Sequence, residues 1–461
     1  MAEKKRVRWA QCSDILPEDR LSLLPDDILI DNILSLLPTE EAARTSILAR
    51  RWRFLWLGSP SLDLDASRKV ALNRPIGKGK LVGGRVAFEY VKWVDRVIGG
   101  YWGSAALSRF RVRFQLDDTF SHKIDSWLNF ALGKGVQVLE LDCHQNYGCN
   151  VTPYTFPSIQ PHLLLNLRLL KSLSLKDVFI STDCLEHLLL ESEFLERLQL
   201  SCSFPDSKVN VTGPMSRLKY IDISECTFVS SIMISAPTPD LVSFKCPGGL
   251  KMLHVEHAPR LVDLLIDGFH DDFDLLSHPL FRYISQLQSL RLDTFYWHMV
   301  PHWLPHLPDL SGLKHLSLTL GGFNDMHTLH GVTSLIKAAP CLQHLTLDVD
   351  HLDEWLITSK ESANLHHQFL RVIEFVRFTG RKVEYSLAAY LIKGVVSLQK
   401  LIVDCRNPSF IEGCNFSRGI NRAIRGRRKR AFELNRTLPS ELKQMLPSEV
   451  ELAVIQFQDR Y

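Results

Sequence analysis

Three histidines, each four residues from the next, are the residues of this chain whose spacing comes closest to a chemical site. His298, His302 and His306 would bring three imidazole rings onto one face of an α-helix, as a zinc site can require. Pro301 and Pro305 lie between them, and proline breaks the interior of a helix. Since no carboxylate or thiol completes a ligand set in register, the sequence predicts no metal site.

The motifs of common catalytic and phosphate-binding sites are also missing. The sequence contains no H-E-x-x-H motif, no pair of C-x-x-C motifs and no G-x-S-x-G motif. The basic, glycine-containing segment 67–100 lacks the G-x-x-x-x-G-K-[ST] pattern of a phosphate-binding loop. The acidic pairs at 117–118 and 271–272 are better explained as loop charge. We therefore expect no catalytic residue, no cofactor and no enzymatic activity in this chain.

Composition indicates a folded protein without an electrostatic footprint for nucleic acid or an anionic membrane. Hydrophobic residues make up 45% and charged residues 23% of the 461 residues, and 54 basic residues stand against 51 acidic ones. The first 20 residues hold no apolar signal segment, the cysteines are scattered, and no apolar run is long enough for a transmembrane helix. We expect reduced thiols, no nucleic-acid or membrane partner, and a location in the nucleus and/or the cytoplasm.

Leucine is the conspicuous residue type, and it recurs with a period. The pattern L-x-x-L-x-L, with Ile, Phe, Val or Cys allowed at its later apolar positions, returns at steps of 20 to 29 residues, the period of leucine-rich repeats. Its ten copies start at Leu170, Leu195, Leu218, Leu241, Leu261, Leu287, Leu313, Leu342, Leu370 and Leu398. A related line at 136–141 is expected to open the array, and one at 250–255 to form a return strand on the convex side.

Each copy has the alternation of a strand with one buried face. Its last two apolar residues lie two positions apart and point to one side of a strand, while the residue between them points to the other. Because a single repeat cannot bury its leucines alone, stacked repeats must supply the core. We predict an α/β fold, a leucine-rich-repeat solenoid with a curved parallel sheet and irregular convex helices, two of them near 184–190 and 332–339. The concave residues, eight of them polar, are Ser174, Gln199, Asp222, Lys245, Leu265, Arg291, Ser317, Thr346, Glu374 and Ile402.

A short helical region at 19–57 precedes the array and is very apolar for its size. Pro25 suits the first turn of a helix, and Asp26 and Asp27 oppose the positive end of its dipole. Pro38 ends this helix, and two more short helical segments are expected to follow. Three short helices make a very small core, so the apolar side chains left over are expected to pack on a partner or on another domain.

This helical region resembles the plant F-box. The run LLPDDILIDNILSLLPTEEAARTSILARRWRFLW follows the family pattern L-P-D-[DE]-[IL]-L, then I-L-S-x-L-P, then A-x-x-[TS]-x-x-L-[SA]-[KR]-R-W, almost without gaps. In that family these positions form the surface that docks a Skp-type adaptor, which bridges to a cullin–RING ubiquitin ligase. The resemblance implies that the adaptor-binding residues are Leu24, Pro25, Ile28, Leu29, Ile33, Leu34, Leu37, Leu48, Arg51 and Trp52.

A second resemblance lies at the end of the array. The run LRVIEFVRFTGRKVEYSLAAYLIKGVVSLQKLIVD, residues 370–404, is similar to the FBD module of plant F-box proteins. There an L-K-x-[IV]-x-F line is followed by F-x-G-R, a short helix and L-x-K-[IL]-x-[IV]-D. The helix of the module is expected near 386–392, and its two lines coincide with the last two repeats. We interpret the module as a variant capping end of the solenoid.

The basic cluster at 425–430 has two interpretations. It is either a nuclear-localisation patch or one face of a solvated helix spanning about 418–434, followed by a closing strand at 450–457. With this segment the predicted domain plan is complete. It comprises a disordered N-terminus at 1–18, a three-helix, all-α F-box at 19–64, an irregular linker at 65–105, the repeat array at 106–369, FBD-like last repeats at 370–405, and a basic helix with a closing strand at 406–461.

The two resemblances and the repeats together imply a plant F-box/FBD/leucine-rich-repeat protein. Its expected function is that of the substrate-recognition subunit of a Skp–cullin–F-box ubiquitin ligase, with an unknown protein substrate held on the concave face. Candidates for contact with that substrate are Asp222, Lys245, Arg291 and Glu374. A ligase-independent leucine-rich-repeat binding scaffold is the alternative, and a hydrolase within 58–135 is a third reading that lacks a nucleophile motif.

Overall fold

Parallel β-structure dominates the protein in a computed structural model. The structure describes residues 21, 23–66, 84–103, 106–143, 152–201, 208–213, 216–223, 226, 229–235, 237–247, 250, 252–267, 279–294, 307–322, 325–352, 365–406 and 441–455. Its strands are Ser61–Asp65 (β1), Arg109–Arg113 (β2), Val138–Asp142 (β3), Tyr154–Thr155 (β4), Ser172–Lys176 (β5), Val178–Phe179 (β6), Arg197–Ser201 (β7), Lys208–Val211 (β8), Tyr220–Asp222 (β9), Ser231–Ile234 (β10), Ser243–Pro247 (β11), Met252–Val255 (β12), Asp263–Asp267 (β13), Ser289–Thr294 (β14), His315–Gly322 (β15), His344–Leu352 (β16), Val372–Val376 (β17), Lys400–Asp404 (β18) and Glu451–Ile455 (β19).

One 14-stranded sheet runs through the described part of the chain. Its order is β1-β2-β3-β5-β7-β9-β11-β13-β14-β15-β16-β17-β18-β19, and every neighbouring pair is parallel. Each repeat contributes one strand, so that Leu173 of β5 lies beside Leu198 of β7. All ten predicted repeat lines are strands of this sheet, which confirms the leucine-rich-repeat fold.

The alternation of each line gives the sheet one buried face and one open face. In β5, Leu173 and Leu175 are fully buried, and Ser174 between them is partly exposed. Since burying a leucine contributes about 1.5–3 kcal/mol, the stacked lines provide the main stabilisation of the solenoid. The partly exposed residues between the buried ones line the open face, which we call the concave face throughout.

Helices pack on the buried face of the sheet and share its hydrophobic core. Ser181, for example, caps a helix whose Leu185, Leu188 and Leu189 are buried in that core. Both predicted convex helices are present and longer than expected. The α-helices are Asp26–Asn32 (α1), Thr39–Arg44 (α2), Gly84–Gly100 (α3), Ser121–Gly133 (α4), Leu164–Leu167 (α5), Thr182–Glu191 (α6), Asp325–Ala338 (α7) and Lys382–Gly394 (α8), and the 3-10 helices are Leu34–Leu36, Thr45–Ile47, Arg50–Arg53, Leu55–Gly58, Asp118–Phe120, Pro161–Leu163 and Pro279–Gln286.

A second parallel sheet replaces the convex helices in the middle repeats. It has the order β12-β10-β8, and its residues Val209, Ile232 and Leu253 are buried. The return strand predicted at 250–255 is β12. A further pair, β4 with β6, forms a two-stranded sheet nearer the N-terminus.

The N-terminal end of the solenoid differs from the prediction. We expected an irregular linker over 65–105, and this is wrong for residues 84–100, which form α3. The helix is amphipathic, because Tyr90, Val91, Val94 and Val97 recur at helical spacing and are buried in the common core. The sheet also begins earlier than the line at 136–141, since β1 and β2 precede it, and four of the five residues of β1 lie inside the range assigned to the F-box.

The N-terminal helical segment, residues 23–58, has its own small core of Leu29, Ile30, Leu34, Ala42, Trp52 and Leu55. Two α-helices are present as expected, with Pro25 and Pro38 at their N-caps. The third predicted helix is instead a series of 3-10 turns. Ala49 explains the difference, because its extended backbone (φ −157°, ψ 165°) interrupts the segment.

The last repeats contain the predicted helix and the closing strand. The helix expected near 386–392 is α8, and the strand expected at 450–457 is β19, which pairs with β18. Glu384 in α8 is fully buried, and its carboxylate accepts hydrogen bonds from the backbone N–H groups of Thr379, Gly380 and Arg381. The N-terminus at 1–18, the histidines at 298–306 and the basic helix at 418–434 lie outside the described residues.

Candidate binding surfaces

The predicted adaptor-binding residues include exposed, half-buried and buried side chains. Ile28 is 42% exposed and Leu48 is 63% exposed. Pro25, at the start of α1, is exposed as well. Leu24, Ile33 and Leu37 are half-buried at the edge of the small core. Side chains of these two kinds can reach a docked partner.

Four predicted adaptor residues support the fold of the segment. Leu29, Leu34 and Trp52 are buried in its core, and a direct contact of these side chains with an adaptor stays a prediction. Arg51 donates from Nε to Asp26 Oδ1 at 2.7 Å and from Nη2 to the Leu24 carbonyl at 2.6 Å. These hydrogen bonds therefore join the 3-10 helix Arg50–Arg53 to the start of α1.

Sequence reasoning missed several apolar side chains that the structure leaves in solvent. Leu36 is 78% and Ile47 88% exposed, and Leu23 and Phe54 are also exposed. The high apolar content of the helical segment was visible in the sequence. The motif does not show which side of a short helix faces solvent. We call Leu23, Ile28, Leu36, Ile47, Leu48 and Phe54 the exposed apolar set.

The helical segment is joined closely to the solenoid. Trp102, which follows α3, donates from its indole Nε1 to the Phe54 carbonyl at 3.0 Å and from its backbone N–H to the Leu57 carbonyl at 3.3 Å. A Cβ added to Gly58 would lie 2.5 Å from the Trp102 ring, so only glycine allows this approach. The first strand, β1, begins three residues after Gly58. These contacts fix the exposed apolar set relative to the sheet.

The first three strands carry a ladder of ion pairs on the concave face. Arg111 of β2 pairs with Asp63 at 3.3 Å on one side and with Glu140 at 3.2 Å on the other. Arg109 pairs with Glu140 at 2.9 Å and Arg113 with Asp142 at 3.1 Å. Burial by itself would lower the pKa of Arg111, but the surrounding carboxylates raise it overall. The charges of this stretch are thus met within the sheet.

A cavity of about 350 Å³ lies farther along the same face, between β11 and β17. Three of the predicted substrate-binding residues, Lys245, Arg291 and Glu374, line it, whereas Asp222 pairs with Lys245 at 3.4 Å. Leu265, Ser289, Ser317 and Thr346 also contribute to the wall, together with Asp263, His315, Leu316 and His344. Stacking of the repeats therefore brings together residues more than 120 positions apart in the sequence.

Most charged groups of the cavity already have a partner. The Glu374 carboxylate accepts from Thr346 Oγ1 at 3.2 Å and lies 3.3 Å from His344 Nε2. Asp263 accepts from Ser243 Oγ at 2.7 Å. Partial burial lowers the pKa of His315, and neighbouring His344 and Lys314 lower it further. These interactions orient the acidic side chains toward their own hydrogen-bond donors.

Neither a metal site nor a membrane-spanning helix is found where the chain is described. No group of three or more histidine, cysteine, aspartate or glutamate residues in those ranges has an arrangement that could hold a metal ion. Among the described helices, none combines the length and the apolar character needed to cross a membrane. The two surfaces that stand out are therefore the exposed apolar set and the cavity of the concave face.

The sheet, its repeat period and its open polar face define a leucine-rich-repeat protein. Residues 106–457, more than half of the chain, match the family model described as "At1g61320/AtMIF1, LRR domain", and the chain belongs to this family. Among its relatives in Arabidopsis thaliana are F-box/LRR-repeat protein At3g03360, 25% identical over 86% of each chain, and Putative F-box/FBD/LRR-repeat protein At2g05300, 26% identical over 86% of this chain and 93% of the relative. These names confirm the resemblance to plant F-box/FBD/leucine-rich-repeat proteins.

A local match is stronger in identity. F-box/LRR-repeat protein At3g59190, also from Arabidopsis thaliana, is 38% identical over 137 residues, and the match spans 30% of this chain and 33% of the relative. This chain thus covers only about a third of that relative's length.

Proposed function

We propose that this chain is the substrate-recognition subunit of a Skp–cullin–F-box type ubiquitin ligase. The exposed apolar set carries the proposal, because a 36-residue segment with so small a core keeps six large apolar side chains in solvent. A helical surface of this composition normally packs on a partner. The names of the relatives support the identification of that partner as a Skp-type adaptor, which links the chain to a cullin–RING ligase.

In this proposal the chain performs no bond chemistry. It raises the effective concentration of a target lysine near the ubiquitin-loaded conjugating enzyme. The contacts of Trp102 with Phe54, Leu57 and Gly58 support this role, because a fixed junction holds the target at a constant distance from the adaptor.

Adaptor binding tests the proposal directly. Ile47→Glu combined with Leu48→Glu places two charges in the exposed apolar set, where neither side chain supports the core. We expect the full-length variant to lose at least about 100-fold in affinity for a plant Skp-type adaptor, as burying unpaired charges in an interface would require. Affinity is measured by isothermal titration calorimetry with purified proteins.

The matched control carries the same two charges elsewhere. Leu165→Glu combined with Val396→Glu changes two side chains that are each 72% exposed and lie outside the helical segment. This control should bind the adaptor as the native chain does. If the native chain binds no Skp-type adaptor, the proposal fails and the ligase-independent scaffold is favoured. If the two double variants weaken binding equally, the exposed apolar set is not the docking surface.

A further inference from the structure

Arg291 differs from Arg109, Arg111 and Arg113 of the concave face, because it has no anionic partner among the described residues. Arg109, Arg111 and Arg113 each form ion pairs with carboxylates of adjacent strands. Within the described ranges, no carboxylate lies at ion-pair distance from Arg291, which lines the cavity and is exposed. A guanidinium in this position offers up to five N–H donors to a molecule that enters from solvent.

The register of the sheet places uncharged residues on both sides of Arg291. Its direct neighbours are Leu265 on β13 and Ser317 on β15, and neither carries a charge. Glu374 is three strands away, about 14 Å at the usual strand spacing, and it is bound to Thr346 and His344. Asp263 is diagonal to Arg291, and its carboxylate is held by Ser243. The fold thus separates this cation from the acidic groups of the cavity.

Hydrogen-bond donors surround the guanidinium. Ser289 lies two residues before Arg291 on the same strand, and Ser317 lies directly opposite Arg291 on β15. His315 is the β15 residue opposite Ser289. Leu265 forms an apolar wall on the opposite side of Arg291. It is one of two apolar residues at the ten predicted concave positions. A guanidinium with hydroxyl donors favours a planar carboxylate or a phosphate group, and the apolar wall suits an aliphatic stem that carries such a group.

The volume of the cavity restricts the size of the ligand. A space of about 350 Å³ is at the lower end of the range of roughly 300–1,000 Å³ found for small-ligand pockets. It accommodates a side chain with a little flanking backbone and excludes a folded element. A protein that uses this cavity would therefore have to insert a protruding or extended segment.

We infer that the cavity between β11 and β17 binds an anionic side chain of the target protein, a carboxylate or a phosphate, through Arg291 with Ser289, Ser317 and His315 as additional donors. The inference rests on the proposed function for the presence of a protein target. It adds the chemical class of the recognised group. Lys245, which lies at the edge of the cavity, is paired with Asp222 at 3.4 Å, so Arg291 is the cation that the inference assigns to the ligand.

Peptide pools with one fixed residue test the inference on the purified full-length chain. Fluorescent peptides carry glutamate, phosphoserine, glutamine or lysine at the centre, and uncharged residues vary on both sides. We expect the glutamate pool, the phosphoserine pool or both to bind at least about tenfold more tightly than the glutamine pool, as one charge-assisted hydrogen-bonded pair provides. The ratio of the two anionic pools distinguishes a carboxylate from a phosphate.

Two variants assign the preference to its residue. Arg291→Gln should reduce the binding of the anionic pools to that of the glutamine pool. Arg260→Gln removes the same charge at an exposed site, where Arg260 pairs with Asp240, and should leave the preference intact. Equal affinity for anionic and glutamine pools, a failure of both anionic pools to bind, a preference for lysine, or a preference that persists in Arg291→Gln overturns the inference.

Adaptor binding separates this test from that of the proposed function. The peptide measurement contains no adaptor, and Arg291→Gln should bind the Skp-type adaptor as the native chain does. If the native chain binds the adaptor but shows no preference for the anionic pools, only the chemistry of the target site is rejected. Absence of adaptor binding by the native chain rejects the ligase role without affecting the peptide result.

Discussion

Two stretches of the same concave face carry arginine, and they differ in what the arginines meet. Over β1–β3, Arg109, Arg111 and Arg113 lie between carboxylates of adjacent strands and pair with them. Over β13–β15, Arg291 lies between Leu265 and Ser317, and the described chain offers it no ion pair. A charged residue on this face therefore indicates a binding site only where neighbouring strands leave its charge unmet.

The ladder of β1–β3 is accordingly a structural feature. Asp63, Asp65 and Glu140 surround a guanidinium that is largely withdrawn from solvent. Burial lowers the pKa of Arg111, whereas these carboxylates raise it. The effect of the carboxylates is the larger, so the pKa is raised overall. An arginine without a carboxylate neighbour could attract a ligand. In the ladder, the arginines instead join three adjacent strands through ion pairs.

Removal of the central arginine of the ladder should have the largest effect. Arg111→Met leaves three carboxylates close together without their shared cation, so we expect the free energy of unfolding to fall by about 2 kcal/mol, less than for a fully buried pair. Urea denaturation followed by circular dichroism measures the change. The control Arg260→Met, at an exposed pair, should alter stability by less than about 0.5 kcal/mol. Equal effects of the two variants would reject a structural role for the ladder.

An acid introduced beside Arg291 should make the cavity resemble the ladder. Leu265→Asp places a carboxylate on the strand directly next to Arg291, at the spacing of a cross-strand pair. We expect this internal partner to weaken binding of the anionic peptide pool by about tenfold, since the ligand must now displace it. Leu265→Asn, which has the same shape without the charge, serves as the control in the same fluorescence measurement. Equal losses in both variants would point to the apolar wall instead of the charge.

Binding at the cavity should depend weakly on pH. In the free chain, partial burial, His344 and Lys314 lower the pKa of His315, with Arg291 as a further cation on the adjacent strand. A bound anion favours the imidazolium and raises that pKa. Affinity should therefore increase by roughly threefold as the pH falls through the pKa of His315 in the bound protein. It should level off below the pKa of His315 in the free protein. Peptide titrations at several pH values measure this, and His315→Gln should remove the dependence. An affinity that falls on acidification would contradict the assigned role.

Loss of Arg291 itself should leave stability almost unchanged. Because this side chain has no ionic partner in the described structure, Arg291→Gln should alter the free energy of unfolding by less than about 0.5 kcal/mol. The measurement is the same urea denaturation as for the ladder. A destabilisation as large as that of Arg111→Met would show that the cavity arginine supports the fold and would remove the contrast between the two stretches.

The repeat lines were predictable because their information is local. Strand alternation places Leu173 and Leu175 on one side and Ser174 on the other, whatever lies next to them. The convex helices and the return strand followed from similar short patterns. Helix α3 was missed because the glycines and basic residues around 67–85 suggested a loop, although Tyr90, Val91, Val94 and Val97 already showed helical spacing.

The candidate surfaces were predictable only in part. The motif located the helical segment, but it could not separate buried Leu29, Leu34 and Trp52 from exposed Leu36 and Ile47. A segment of this size has so few core positions that small changes in the 3-10 turns decide which side chains face solvent. For the concave face, strand alternation indicated which side chains share the open side of the sheet, but it did not indicate their partners.

What the sequence determined by itself is the period, the strand positions and the face on which each residue lies, because a strand's alternation depends only on its own residues. What only the tertiary structure decided is which charges meet. Arg111 and Asp63 are 48 residues apart, and Arg291 and Ser317 are separated by a full repeat. Such pairs form only after the repeats stack in a particular register, and that register neutralises one arginine and leaves the other open to a ligand.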